Sequence, residues 1–170
     1  SLASLKALLQ RQSGLVLVAG STGAGKTTTL YAALAHLAAS RAGAHLSLED
    51  PVEQRLRVAG IPVSQVELCP ERGVTGEAAL VAALRQDIDV LAVGEVRTSA
   101  EAALALKAAH TGRLVLAGLH ASSTHEAVQR LLDLGVDATV LEKTLVGVLH
   151  QRLVRHGSGR VARATVEVRP

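Results

Sequence analysis

GLVLVAGSTGAGKTTTLYAAL (residues 14–34) runs an aliphatic stretch into a glycine-rich turn ending in Lys26-Thr27, then into an alanine-rich segment of helical periodicity. LVLVA (15–19) is the short continuous apolar run that a parallel strand buried on both faces requires. A helix is predicted over residues 26–40. Between strand and helix, Gly20-Ser21-Thr22-Gly23-Ala24-Gly25-Lys26-Thr27 fits G-x-x-x-x-G-K-[ST] at every fixed position. Its glycines let the backbone wrap closely, so that successive N–H groups from Ser21 to Thr28 face phosphate oxygens, and the helix N-terminus adds its positive dipole end. In that arrangement Lys26 reaches the β- and γ-phosphates and the Thr27 hydroxyl ligates Mg²⁺. The expected ligands are ATP and Mg²⁺.

Outward from this turn, strands and helices alternate. Leu2, Leu5, Leu8 and Leu9 recur at helical spacing and predict a lead-in helix within residues 1–13. Further strands are expected at 44–49, 89–94 and 113–119, with two short edge strands between 54 and 67 where Gly60 and Pro62 interrupt the alternation. Thr75 is placed to cap a helix over 76–86, and Thr98 with Glu101 forms a capping box for one over 99–109 that stops at Gly112. Thr124 opens a helix that stops at Gly135, Asp137 opens another to about residue 150, and the tail 152–168 reads as a hairpin about Gly157-Ser158-Gly159. The pattern implies an α/β fold with a mainly parallel sheet, helices on both faces and a short C-terminal β-hairpin. One domain is expected: lead-in helix 1–13, nucleotide-binding core 14–150 and terminal hairpin 151–170, in a chain whose start without Met reads as a processed or excised piece.

Composition narrows the function classes. The 170 residues contain no Phe, Trp or Met, and Tyr31 is the only aromatic. Stacking-type binding of single-stranded nucleic acid, which uses aromatic platforms, is therefore not expected. The net charge of +3 comes from arginines scattered among acids, with a modest cluster at Arg152, Arg155, Arg160 and Arg163 that reads as a solvated surface. The single cysteine, Cys69, excludes an internal disulfide framework and fits a reducing cytoplasm. No apolar run approaches a membrane span, and the N-terminus lacks a signal-peptide core, so a soluble chain is expected.

Hydrolysis needs a carboxylate near Mg²⁺ and a group that positions or deprotonates the attacking water. Two acidic sites follow predicted strands, where an open α/β sheet presents its ligands: Glu95, and the cluster Glu49-Asp50-Pro51-Val52-Glu53. His120, at the end of another strand, is placed to bond a γ-phosphate or to serve as a structural hydrogen-bonding group. The other histidines show no metal-ligand spacing.

Together these motifs resemble the secretion ATPases that drive type II secretion and type IV pilus assembly or retraction. GSTGAGKTTTLYA looks like the family's Walker A segment, LSLEDPVE like its aspartate box, LRQDIDVLAVGEVR like its Walker B segment and AAHTGRLVLAGLHASS like its histidine box. QRLVR (151–155) looks like the segment after the last core helix. The resemblance implies a RecA-like P-loop NTPase in which Lys26 and Thr27 bind phosphate and Mg²⁺ and Glu95 is the Walker B carboxylate, acting on the metal through water. It implies further that Glu53 is the water-activating base, with Glu49, Asp50 and Arg97 supporting, and that His120 matches the second histidine of the histidine box. At family level it implies a hexameric ring, ATP between neighbouring subunits, an N-terminal domain ahead of the core, and an inner-membrane platform protein as partner.

This sequence departs from the pattern at several positions. Arg113 stands at the first histidine of the histidine box, Val81 at an expected arginine, Thr98 at an expected acid, and Asp87-Ile88-Asp89 replaces D-P-D. RHGSGR occupies the place of the four-cysteine zinc module. Two alternatives to the motor follow: a non-hydrolysing nucleotide-binding subunit of such a ring, and a P-loop ATPase acting on DNA.

Overall fold

The computed structural model describes residues 2–58, 61–156 and 159–168. Its centre is a seven-stranded sheet in the order β5-β2-β6-β7-β1-β8-β9. The strands are β1 (Gly14–Ala19), β2 (His45–Glu49), β5 (Ser64–Glu67), β6 (Val90–Val93), β7 (Leu114–Leu119), β8 (Leu145–His156) and β9 (Gly159–Val168). All neighbouring pairs are parallel except β8 with β9. The fold class read from the sequence is therefore the observed one.

Alternate residues of each central strand feed two cores. Leu15, Leu17 and Ala19 of β1 and Val115, Ala117 and Leu119 of β7 face one cluster, while Val16, Val18, Leu114 and Leu116 face the other. The first face is covered by α3 (Gly76–Leu84), α4 (Ser99–His110), α5 (Thr124–Asp133) and α6 (Ala138–Thr144), the second by α1 (Leu2–Leu9) and α2 (Lys26–Ser40). Burial on both sides is why these strands are continuously aliphatic. Leu, Val and Ala with Ile88 fill the two layers because the chain has no Phe, Trp or Met to use. Among the described residues no helix is long and apolar enough to cross a membrane.

The helix starts follow the capping chemistry read from the sequence. Thr75 and Asp137 accept from the N–H groups of Ala78 and Val140, and Thr98 and Glu101 form the reciprocal capping box. α5 starts one position earlier than expected, because Ser123 rather than Thr124 is its cap. Between residues 54 and 67 there are three short strands instead of two. β3 (Arg57–Val58) and β4 (Ile61–Pro62) pair with each other, and β5 forms the edge of the main sheet. Ala59 and Gly60 lie outside the described residues, as do Gly157 and Ser158 of the expected hairpin turn.

The helix expected from Asp137 to about residue 150 is corrected. It ends at Thr144, and Leu145 begins the long strand β8. On β1, the edge not paired with β7 would otherwise leave a row of backbone N–H and C=O groups without partners in the middle of the core. β8 takes that edge in parallel register, Val18 opposite Leu149 and Ala19 opposite His150. A helix over 145–150 would satisfy only itself.

The sheet order brings the carboxyl ends of β2, β6, β7 and β1 side by side, about 4.8 Å apart from strand to strand. At this edge the backbones of Gly94 and Gly118 meet. A Cβ on Gly118 would collide with the Gly94 carbonyl oxygen, so glycine there permits the close approach of the loops leaving β6 and β7.

Candidate active site

Each of those four strand ends delivers one expected group. The glycine-rich turn leaves β1, Glu49, Asp50 and Glu53 follow β2, Glu95 and Arg97 follow β6, and His120 follows β7. Together they line a cleft of about 580 Å³ that also takes in Thr22, Gly23, Gly25, Lys26, Thr27 and Thr28. Ser21 and Ala24 line an adjoining cleft on the hairpin side of the turn.

The turn has the geometry a phosphate cradle needs. Gly23 and Gly25 sit at positive φ, 74° and 89°, where a side chain is strained, and Gly25 caps α2 without any side-chain hydrogen bond. The N–H groups that open α2 have no intrahelical acceptor and point out of the helix end. Lys26 folds back over the turn, its Nζ donating to the carbonyls of Gly20 at 2.9 Å and Ser21 at 3.2 Å. Burial lowers its pKa below the ordinary lysine value, an effect that the nearby Glu95 carboxylate opposes. A donor-rich loop with a flexible ammonium and a hydroxyl (Thr27) fits the phosphates and Mg²⁺ of a nucleoside triphosphate.

The carboxylates are differently engaged. Glu49 is 5% exposed, and its oxygens accept from Tyr31 Oη, Ser47 Oγ and Gln65 Nε2. Arg97 spans two of the other acids, donating to Asp50 Oδ2 at 2.7 Å and Glu95 Oε2 at 2.9 Å. Those two acids raise its pKa above the ordinary guanidinium value. Glu53 is exposed, and among the described residues its carboxylate makes no hydrogen bond or ion pair. His120 Nε2 and Thr22 Oγ1 are hydrogen-bonded at 2.8 Å, which ties the end of β7 to the turn.

A family model described as type II/IV secretion system protein matches residues 1–169. The chain belongs to that family. The type II secretion system protein HxcR of Pseudomonas aeruginosa is 47% identical over 154 residues, which is 91% of this chain and 32% of HxcR. The type II secretion system ATPase E of Vibrio cholerae is 43% identical over 152 residues, 89% of this chain and 29% of that protein. The chain thus spans about a third of the length of the curated relatives it matches. A crystal structure of the pilus retraction motor PilT with bound ADP superposes with a TM-score of 0.88 at 33% identity, covering 96% of this chain and 50% of PilT.

Two features of this family member escaped sequence reading. Arg113 lies at the amino end of β7, opposite the end that carries His120, and its guanidinium donates to the carbonyls of Leu84 at 3.2 Å and Gln86 at 3.1 Å. The arginine therefore caps the end of α3 and takes no part in this cleft. Gln151, 3% exposed on β8, clamps the turn from behind. Its Nε2 donates to the Ala24 carbonyl at 2.7 Å and its Oε1 accepts from Thr29 Oγ1 at 2.7 Å. Only its place in QRLVR hinted at it, and the partners were out of sight. Gln151→Leu keeps the volume and strands both partners, so we expect a stability loss of about 1–3 kcal/mol in urea unfolding. A midpoint equal to wild type would remove the clamp.

Proposed function

We propose that the chain is the ATP-hydrolysing motor core of a type II secretion or type IV pilus machine. The observation that carries this reading is the cleft itself, where the phosphate-binding turn and acidic residues from two further strands converge. The comparison with an ADP-bound pilus retraction motor supports the choice of adenine nucleotide.

In this reading the turn's N–H groups from Ser21 to Thr28 hold the phosphates and Lys26 leaves its own loop carbonyls to neutralise the β- and γ-phosphates. Mg²⁺ would be held by the Thr27 hydroxyl and, through water, by Glu95. The metal, when bound, neutralises charge on the phosphates and orients them for in-line attack. Glu53, the unengaged carboxylate, takes the proton of the attacking water. Arg97 keeps Glu95 and Asp50 in register, Glu49 anchors the aspartate-box loop, and His120 bonds the γ-phosphate. The chain works as a hexameric ring at the cytoplasmic face of the inner membrane, with a platform protein of the machine as partner. Residues 1–170 act in it as one nucleotide-binding unit.

Specific ATPase activity measured across a range of protein concentrations tests the ring. Activity per chain that climbs with concentration and then levels off is expected when sites are completed by a neighbour. Activity that is constant with dilution would contradict shared sites. ATP binding without turnover at any concentration would leave a nucleotide-binding subunit that does not hydrolyse.

A further inference from the structure

The only aromatic residue of the chain stands on the nucleotide helix and faces the aspartate-box loop. Tyr31 Oη donates to buried Glu49 Oε2 and accepts the backbone N–H of Glu53 at 3.0 Å and of Gln54 at 3.2 Å. A phenol has one donor and two acceptor sites, and all three are used. The loop's other ties come from the strand layer: Arg97, after β6, holds Asp50 at 2.7 Å, and on β5 Glu67 accepts the N–H of Val52 at 3.0 Å and Gln65 accepts that of Leu56 at 2.7 Å. Gln65 also donates to the Gln54 carbonyl and to Glu49, both at 2.9 Å. These β5 contacts hold the loop to the strand layer. Tyr31 alone among these ties comes from the helix whose first turn lines the cleft.

We propose that Tyr31 is a positioning residue that couples α2 to the loop carrying Glu53, so that nucleotide occupancy at the start of α2 is transmitted through the phenol to the backbone of Glu53. The proposal rests on Glu53 being the water-activating base only for its kinetic consequence. The physical coupling stands on the hydrogen bonds themselves. A displacement of α2 by a fraction of an ångström moves Oη, and both amides and the Glu49 carboxylate must follow or break their bonds. Phenylalanine keeps the ring and its packing but leaves two N–H groups and one carboxylate oxygen without this partner.

The test compares wild type with Tyr31→Phe, with and without Mg-ADP, by residue-resolved amide hydrogen exchange. The expected result is exchange at Glu53 and Gln54 faster by about fivefold or more in the variant, with the amides of Gly25 to Thr28 unchanged. Mg-ADP is expected to change protection at Glu53 and Gln54 in wild type and not in the variant. Equal exchange at these two amides, or an ADP response that survives in Tyr31→Phe, would overturn the proposal. Tyrosine emission gives a readout that needs no variant, because Tyr31 is the only tyrosine and there is no tryptophan. It should change on addition of Mg-ADP, and an unaltered spectrum counts against the coupling.

In turnover, Tyr31→Phe should lower kcat about tenfold or more with KM for ATP within about twofold, and Tyr31→Phe/Glu53→Gln should be no slower than Glu53→Gln alone. A raised KM at unchanged kcat would contradict the proposed role. A wild-type chain that binds ATP without turnover would remove the hydrolytic reading, and the exchange and emission measurements would still decide the coupling.

Discussion

Replacing Lys26 with alanine is expected to weaken ATP binding by about one to two orders of magnitude, while adenosine binds as it does to wild type. The ammonium waits at the mouth of the turn, bonded to the Gly20 and Ser21 carbonyls, and is the only cation that the turn itself supplies. Charge-assisted hydrogen bonds of this kind contribute about 1.5–3 kcal/mol, which sets the size of the effect. The adenosine control matters because alanine also removes the lysine's bonds to its own loop. Loss of adenosine and ATP affinity together in calorimetric titration would mean that the turn had collapsed, and that Lys26 has no separate role toward phosphate.

Glu53→Gln is expected to leave the ATP dissociation constant within about threefold and to lower kcat by about two to four orders of magnitude, the usual range for a lost general base. The hydrogen bonds decide between the acids. Glu49 is buried with its lone pairs directed at Tyr31, Ser47 and Gln65, and Asp50 and Glu95 are both held by Arg97. Glu53 faces the cleft with no such partner among the described residues and is free to accept a proton from water. Single-turnover assays separate the chemical step from product release. If Glu53→Gln turns over like wild type while Glu95→Gln is inactive, the base has been assigned to the wrong strand.

Much of this site is legible in the sequence because its parts are local. The turn, its strand and its helix are contiguous, and residues such as Gly23 and Gly25 state their backbone conformation directly. Glu49 and Glu95 could be placed because each ends an aliphatic run, and a parallel sheet gathers such ends. The strand from Leu145 was misread for a corresponding reason. LVGVL is a short apolar run that suits a buried helix or a strand equally, and what decides is the open edge of β1, more than a hundred residues away in the sequence. Gln151 and Tyr31 were hidden in the same way. The Gln151 clamp reaches across 127 positions, and the Tyr31 hydroxyl bonds three groups on β2 and the loop that follows it. Arg113 shows the converse, since it stands at a histidine-box position and the direction of β7 puts it at the opposite end of the strand from His120.

The central claim is that this cleft hydrolyses ATP, and the most direct test is Mg²⁺-dependent phosphate release by the wild-type chain beside Lys26→Ala and Glu53→Gln. The account predicts release that requires Mg²⁺ and falls to background in both variants, with ATP still bound by Glu53→Gln. Release at the wild-type rate from Glu53→Gln, or none from a wild-type chain saturated with Mg-ATP, would contradict it.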